Sequence, residues 1–355
     1  MLALARHLPR LAARIPWVPL GQWPTPVHEI TVEHGPVWVK EEGVSNPRYG
    51  GNKVRTLEVW FGHARARGAK RIWSIGAYGS NHAIATVLHA PAAGLEAGAI
   101  VFPQPPSEWA RENCAALIAS GCPIVRLRSV IEVPFASMIV ARRARDEIVM
   151  PPGGATTIGA FGALSAAFEL AEQIEAGDAP PPRRIVLAVG STCTTAGLLA
   201  GFALAHAAGV WRWPAPILHG VRVTPWPVTS RLRIAEYARQ TLARAEQLGG
   251  PRVGISLAEL RARLFVDGRE LGPGYGRTTP QGVAAIAALA AATPRGPRLD
   301  GVYSAKAAAA LLRLHRAGHG PLMFWASKST QVLPTPSADA IRTGPHAMQR
   351  WLSSA

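Results

Sequence analysis

The chain passes from a predicted strand into a predicted helix through the stretch Gly50-Gly51-Asn52-Lys53. Two adjacent glycines let the backbone turn sharply and approach a ligand closely. Lys53 would stand at the helix amino terminus, where the positive end of the helix dipole favours an uncharged amine. Such an amine can form a covalent imine with a carbonyl compound. A solvated loop lysine is the other interpretation that these four residues allow.

Alternating strands and helices are predicted on both sides of this stretch. After Lys53, apolar residues recur at helical spacing until Gly68, which supplies a stop. Strands are predicted at residues 37–40, 72–75, 99–102, 124–127, 185–189, 219–223 and 322–325. Helices are predicted at residues 80–94, 107–119, 135–148, 158–174, 230–248, 280–292 and 305–317, and residues 190–195 are predicted to turn into a helix that ends near residue 209. Residues 15–30 are predicted to be irregular and residues 177–182 to form a linker. This alternation predicts an α/β fold of open, twisted, mostly parallel sheets with flanking helices.

Three loops follow predicted strand ends and open helices, at residues 76–81, 153–158 and 190–197. Ligands of parallel sheets bind at the carboxyl ends of the strands. The third loop is rich in hydroxyl side chains and backbone amides at a helix start, a combination typical of phosphate sites. It has neither Walker nor dinucleotide spacing, and a plain helix cap explains it equally well when it is read alone. A phosphate site together with an imine-forming lysine indicates pyridoxal phosphate.

Composition narrows the remaining classes of function. The 355 residues carry a formal charge of +16, but the basic residues are spread along the chain and are nearly all arginine, so we predict no nucleic-acid partner. Three cysteines without a Cys-x-x-Cys pair argue against a disulfide framework and against a structural metal. No apolar run reaches the roughly 20 residues that span a bilayer, so we predict no membrane partner. The expected compartment is the cytoplasm.

The ordered motifs resemble one known group. They are Gly50-Gly51-Asn52-Lys53, Ser80-Asn81-His82, Gly190-Ser191 to Gly197-Leu198, Gly274-Tyr275-Gly276 and Val302-Tyr303-Ser304-Ala305-Lys306. Their order and spacing resemble the 1-aminocyclopropane-1-carboxylate deaminase and D-cysteine desulfhydrase family. The resemblance spans about residues 16–325. It implies the tryptophan-synthase-β type of pyridoxal phosphate fold, known as fold type II.

The resemblance assigns the cofactor-binding residues. Lys53 would hold pyridoxal phosphate covalently and, once freed, would move the α-proton of the substrate. Asn52 would hydrogen-bond the ring hydroxyl, and Ser327 would approach the ring nitrogen. The phosphate would be bound by Ser191, Thr192, Cys193, Thr194 and Thr195.

The resemblance also implies substrate-binding residues and a division into two lobes. Ser80, Asn81 and His82 would receive the carboxylate of a small amino acid at a helix amino terminus. Ser80, Tyr275 and Tyr303 would join Lys53 as catalytic groups, although a tyrosine beside a glycine turn is also common as a packing residue. The large cofactor domain would comprise residues 1–53 and 164–355, with a small domain of residues 54–163. A homodimer is expected.

Departures from the family pattern bear on the reaction. Ser304 and His82 stand where the deaminase branch has an acidic residue and a glutamine, which favours the desulfhydrase branch. After the last predicted strand, Ala326-Ser327-Lys328-Ser329 replaces the usual His-Thr-Gly-Gly. A cation at Lys328 near the ring nitrogen would disfavour its protonation and weaken the cofactor as an electron sink.

The sequence therefore predicts a pyridoxal phosphate lyase or deaminase. It would abstract the α-proton of a small amino acid, eliminate a β-substituent and release a keto acid and ammonia. β-Replacement, or another biosynthetic reaction on an amino acid, is a second interpretation. A catalytically degenerate protein that binds the cofactor or an amino acid is a third, and the altered segment 326–329 is its support.

Overall fold

Two sheets organise the chain in the computed structural model, which describes residues 3–143, 145–293 and 296–354. Within these ranges, the six-stranded sheet has the order β1-β2-β10-β7-β8-β9, and the four-stranded sheet has the order β5-β4-β3-β6. The strands are β1 (Val27–Val32), β2 (Gly35–Glu41), β3 (Arg71–Ala77), β4 (Glu96–Phe102), β5 (Ile124–Arg126), β6 (Glu147–Val149), β7 (Arg184–Val189), β8 (Ile217–Arg222), β9 (Leu264–Asp267) and β10 (Leu322–Ala326). The β1 and β2 strands pair antiparallel, and every other described pair is parallel.

The helices cover these sheets. They are α1 (Leu4–His7), α2 (Pro9–Ala12), α3 (Lys53–Ala66), α4 (Asn81–His89), α5 (Glu108–Ala119), α6 (Val133–Arg143), α7 (Thr157–Glu175), α8 (Cys193–Ala207), α9 (Arg231–Gln247), α10 (Leu257–Ala262), α11 (Pro280–Ala292), α12 (Ser304–Arg316), α13 (Ala338–Arg342) and α14 (His346–Ser353). Side-chain caps begin several of them. Thr156 accepts a hydrogen bond from Gly159 N in α7, and Ser80 accepts one from Ala83 N in α4.

The interior of the six-stranded sheet is apolar on both faces. Ile185 and Leu187 face the core that contains α7 and α8, whereas Val186 faces the core under α11 and α12. Alternate residues of one strand thus bury opposite faces, as a parallel strand between two helical layers requires. This burial fixes the carboxyl end of β7, from which the predicted phosphate loop emerges.

A buried charged cluster joins β2, α3 and α7. Lys40 Nζ lies 2.6 Å from Glu169 Oε1, and Arg55 lies 2.6 Å from Glu42 Oε2 and 2.8 Å from Glu169 Oε1. All four side chains are at most 5% exposed. Two cations and two carboxylates balance each other, as buried charges must. Because Arg55 is two residues from Lys53, the cluster anchors the first turn of α3.

Some sequence-based predictions of local structure were wrong. Residue 148 was assigned to a helix over 135–148, but α6 ends at Arg143 and Ile148 lies in β6, which pairs with β3. Residues 27–30 were predicted to be irregular but belong to β1. The sequence reading also missed β9 and α10. The prediction of mostly parallel sheets with flanking helices is confirmed. None of the helices that the structure describes combines the length and the hydropathy that a bilayer span requires.

Candidate active site

Lys53 opens α3 beside a turn that glycine makes possible. Gly51 has φ 99°, and a Cβ atom there would lie 2.7 Å from the Ser327 carbonyl oxygen. Gly153 has φ 67°, and a Cβ atom there would lie 3.5 Å from Lys53 Nζ and 2.4 Å from Ser191 Cβ. The Lys53 amine therefore reaches the point where Gly153 meets the loop after β7.

The surroundings of Lys53 favour its uncharged form. Burial removes water from the ammonium group and lowers the pKa of Lys53 below the ordinary lysine value. No carboxylate forms an ion pair with Lys53 in the described ranges, so little offsets this loss of solvation. A lysine amine that acts as a nucleophile and a base needs this environment.

The loop between β7 and α8 presents unpaired backbone donors. The N–H groups of residues 191–195 make no hydrogen bond with any described residue. Thr192 has φ 74°, the one positive value among the described non-glycine residues. Such a conformation costs about 1–3 kcal/mol and persists where the surrounding structure or a function requires it. Unpaired amides at the start of a 15-residue helix fit a phosphate group.

Asn52 connects the lysine turn to this loop. Its Nδ2 atom donates a hydrogen bond of 2.9 Å to Thr194 Oγ1. The Cys193 thiol is buried below the loop, 3.6 Å from the Gly154 carbonyl oxygen. The structure therefore brings Lys53, Asn52 and the predicted phosphate loop together.

Segment 80–82 forms the amino terminus of α4. The Ser80 hydroxyl is used as the helix cap and accepts a hydrogen bond from Ala83 N. His82 is 3% exposed, and neither of its ring nitrogens has a partner among the described residues. Burial holds the pKa of His82 well below its usual value, and a proton on the nearby Lys53 amine would lower it further. The imidazole is therefore neutral.

Gly154 brings His82 close to α3. A Cβ atom at Gly154 would lie 2.8 Å from Thr56 Cγ2 and 3.3 Å from His82 Cε1. The indole Nε1 of Trp60 donates a hydrogen bond of 2.9 Å to the Gly154 carbonyl oxygen. Thus His82 and the Lys53 amine approach the same pair of glycines from different sides.

Tyr275 and Tyr303 form a pair at another side of the predicted phosphate loop. Their hydroxyl oxygens are 2.7 Å apart, and a Cβ atom at Gly190 would lie 3.0 Å from Tyr303 Cε1. Burial raises the pKa of both phenols, so both are protonated and can donate a hydrogen bond. Lys306 fixes the Tyr275 loop through hydrogen bonds to the carbonyl oxygens of Leu271 and Gly274.

Segment 327–329 holds the lysine turn from the opposite side. The Ser327 carbonyl oxygen accepts a hydrogen bond from Asn52 N, and Ser329 Oγ accepts one from Gly50 N. The Lys328 amine lies 3.1 Å from Asn81 Oδ1 and 3.3 Å from the Tyr49 hydroxyl. The expectation that Lys328 approaches the ring nitrogen stays a prediction.

Several residues around the site were not singled out from the sequence. They are Tyr49, Thr56, Trp60 and Asn113. Tyr49 directly precedes the glycine pair, and Thr56 and Trp60 fall one and two helical turns after Lys53. That spacing was a usable signal for Thr56 and Trp60. No local pattern marks Asn113, which reaches the site region only because α5 packs beside α4.

Comparison with known proteins identifies the family. A family model described as pyridoxal-phosphate dependent enzyme matches residues 18–321, so the chain belongs to the pyridoxal-phosphate dependent enzymes. The protein is thus a pyridoxal phosphate enzyme, and that prediction from the sequence is confirmed.

Individual relatives agree with this assignment. Nocardicin C-9′ epimerase of Nocardia uniformis subsp. tsuyamanensis is 31% identical over 325 residues, covering 89% of this chain and 94% of the epimerase. D-cysteine desulfhydrase of Salmonella paratyphi A is 29% identical over 302 residues, covering 81% of this chain and 85% of that enzyme.

A solved structure shows the same fold. The crystal structure of an ACC deaminase homologue superposes with a TM-score of 0.73 at 24% identity, covering 97% of this chain and 99% of that chain. The resemblance to the 1-aminocyclopropane-1-carboxylate deaminase and D-cysteine desulfhydrase family is confirmed, as is fold type II. The role of each site residue and the bounds of the two domains stay predictions.

Proposed function

We propose that the protein is a pyridoxal phosphate lyase that acts on a small amino acid. It removes the α-proton, expels a substituent from the β-carbon and releases a keto acid and ammonia. The observation that carries this proposal is the buried Lys53 amine, which faces Gly153 and Ser191 beside unpaired backbone amides. A nucleophilic amine next to an anion site is the arrangement that a phosphorylated aldehyde requires.

The residues present fit the cofactor. The amides of Ser191, Thr192, Cys193, Thr194 and Thr195 would hold its phosphate. Lys53 would hold its aldehyde carbon, Asn52 its ring hydroxyl and Ser327 its ring nitrogen. When bound, pyridoxal phosphate accepts the electron pair that remains on the α-carbon after proton removal.

Lys53 is proposed as the base. Burial lowers the pKa of the Lys53 amine, so it loses its proton more readily than an exposed lysine and, once uncharged, can accept the α-proton. Tyr275 and Tyr303 are proposed to donate a proton to the leaving group or to position the substrate, because both phenols are protonated and directly hydrogen-bonded. Ser80 is a further candidate, although its hydroxyl also caps α4.

The substrate carboxylate is proposed to bind at Ser80, Asn81 and His82. The amino terminus of α4 offers positively polarised N–H groups to an anion. The neutral His82 ring has a nitrogen-bound hydrogen that no described residue uses. An unpaired buried donor is costly, and a bound carboxylate would satisfy it.

Two larger-scale features belong to the same proposal. Residues 54–163 are proposed as a small domain that closes on the large domain of residues 1–53 and 164–355, excluding water from the site. Beyond the amino-acid substrate, the proposed partner is a second copy of the chain. Light scattering during size-exclusion chromatography tests the homodimer.

Epimerisation is a second candidate function. The observation in its favour is the 31% identity to nocardicin C-9′ epimerase across 89% of this chain. Lyase and epimerase chemistry both begin with removal of the α-proton. They differ in whether a β-substituent leaves or a proton returns on the other face.

The first test is a cofactor-labelling experiment. The purified protein is incubated with pyridoxal phosphate, reduced with borohydride and mapped by mass spectrometry. We expect the adduct on Lys53, and Lys53→Ala should lose both the adduct and turnover by at least about a thousandfold. Lys70→Ala is the matched control, because Lys70 is an exposed lysine paired with Asp146. An adduct on another lysine would refute the assignment of Lys53.

The second test separates the reactions with a panel of D- and L-amino acids in deuterium oxide. Keto acid and ammonia indicate elimination, and inversion with deuterium at the α-carbon indicates epimerisation. A new adduct that forms only with added thiol or amine indicates β-replacement. Cofactor binding without any of these products would overturn the lyase proposal in favour of a binding protein.

A further inference from the structure

The side chain of Lys328 is a buried cation that the proposed chemistry does not use. It is 2% exposed, and its Nζ atom donates to Asn81 Oδ1 at 3.1 Å and to the Tyr49 hydroxyl at 3.3 Å. The Tyr49 ring centroid is 5.5 Å from the same atom. Burying a lysine ammonium costs free energy of solvation, so we expect its polar contacts to serve a structural or functional role.

These contacts determine which way the Asn81 amide faces. The ammonium group of a protonated Lys328 can only donate, so the Asn81 atom beside it is the carbonyl oxygen. The same oxygen accepts from the Tyr49 hydroxyl at 3.0 Å and from Asn113 Nδ2 at 2.9 Å. The Asn113 amide is itself oriented, because its Nδ2 atom also donates to the Gly79 carbonyl oxygen. Three donors, from Lys328, Tyr49 and Asn113, therefore fix the orientation of the Asn81 carbonyl oxygen.

The other end of the Asn81 amide is left without a partner. Asn81 Nδ2 makes no hydrogen bond with the described residues, and it stands at the first position of α4. The next residue, His82, is buried with two unpaired ring nitrogens. Two unused groups thus lie beside the unpaired amides of a nine-residue helix.

We propose that Lys328 is a positioning residue for substrate recognition. Together with Tyr49, it holds the Asn81 carbonyl oxygen on the side of the Lys328 amine. Asn81 Nδ2 and the amino terminus of α4 are then presented to the carboxylate of the amino-acid substrate. This inference rests on the proposed function. It also gives the lysine in segment 326–329 a role in substrate binding rather than in loss of activity.

The test compares a ligand that carries a carboxylate with one that lacks it. Glycine and methylamine are titrated into the holoenzyme, and the apparent Kd is read from the cofactor absorbance. We expect Lys328→Met to raise the Kd for glycine about tenfold or more and to leave that for methylamine within about twofold, because only glycine needs the oriented amide. Lys70→Met should change neither value.

A double-mutant cycle distinguishes positioning from general damage. If Lys328 acts through Asn81, then Lys328→Met should weaken glycine binding by less than about twofold when added to Asn81→Ala. Equal weakening of both ligands, or full additivity in the cycle, would overturn the proposal.

The remaining outcomes are also decisive. If Lys328→Met fails to fold, as judged by thermal melting, Tyr49→Phe tests the same network and should weaken glycine binding selectively. An unchanged preference for glycine in Tyr49→Phe would then refute the inference. If the wild-type spectrum responds to no amino acid, the proposed function fails, and the positioning role fails with it.

Discussion

His82 shows how burial sets the state of a single side chain. Its imidazole is 3% exposed and unpaired within the described residues, so a positive charge on it would lack both water and a counterion. The ring stays neutral while the unfolded chain titrates normally near pH 6.5. Below that pH, His82 is protonated in the unfolded state but stays neutral in the folded state. His82 therefore removes stability as the pH falls.

This reasoning gives a prediction for His82→Gln. Between pH 7.5 and pH 5.5 the wild type should lose more free energy of unfolding than the variant, by up to about 1.4 kcal/mol per pH unit below pH 6.5. Urea denaturation at the two pH values measures the difference. His319→Gln, at an exposed position, should follow the wild type. Parallel losses in wild type and His82→Gln would show that His82 is protonated in the folded protein.

At the scale of elements, three connections meet around Lys53. They are the turn into α3, the glycine pair before α7 and the loop into α8. Gly153 holds the centre of this junction, because a Cβ atom there would collide with Ser191 at 2.4 Å. Its φ of 67° adds strain for any other residue. A side chain at this point would displace the loop that presents the backbone amides.

Gly153→Ala should therefore weaken pyridoxal phosphate binding at least about tenfold and lower the free energy of unfolding by about 1–3 kcal/mol. Gly68→Ala is the matched control, because Gly68 has φ 69° and no atom within 4 Å of its ideal Cβ position. Gly68→Ala should lower the free energy of unfolding through backbone strain alone and should leave the affinity for the cofactor unchanged. Fluorescence titration of the cofactor and urea denaturation provide the two readouts. Equal effects of both variants on affinity would contradict a role for the Gly153 contact.

The sequence predicts well those helices and strands whose formation depends on residues close together in the chain. Polar caps mark helices, and the apolar run at residues 185–189 marks a strand buried on both faces. Strand β1 forms a local hairpin with β2 and was missed because its segment follows a proline-rich stretch. Strands β6 and β9 were missed because their partners, β3 and β8, are distant in sequence, and β6 contributes only three residues. In the same way, Lys53 and the predicted phosphate loop are visible as motifs. The link from Lys328 to Asn81 joins residues 247 positions apart and has no local signature.

At the scale of the whole molecule, the charged cluster around Glu169 joins segments that are far apart in sequence. Glu169 contacts Lys40, Arg55 and the backbone N–H of Thr25. Burial opposes its ionisation, but Arg55 and Lys40 prevail and lower the pKa of Glu169 to about 2. Its contribution to stability is thus fully present above about pH 4.5 and is lost as the pH falls toward 2.

Glu169→Gln should lower the free energy of unfolding by about 3–5 kcal/mol at pH 7, because it leaves two buried cations facing one carboxylate. Glu172→Gln, one turn further along α7, is the control. Glu172 pairs with Arg6 and His7 near the surface, so its loss should cost less than about 1 kcal/mol. Urea denaturation measures both variants. Similar losses would contradict the inference that Glu169 compensates the buried charges of Lys40 and Arg55.

The position of β10 also determines which of the two sheets can form first while the chain is being synthesised. This strand, near the carboxyl-terminal end of the described residues, lies between β2 and β7 in the middle of the larger sheet. The four-stranded sheet needs only residues up to 149, whereas the Gly50–Asn52 turn is held by Ser327 and Ser329. During synthesis, the turn before Lys53 stays without its supporting segment until Ser329, 279 positions after Gly50, has emerged. The proposed reactivity of Lys53 therefore cannot develop until this late segment has been made and has folded against the turn.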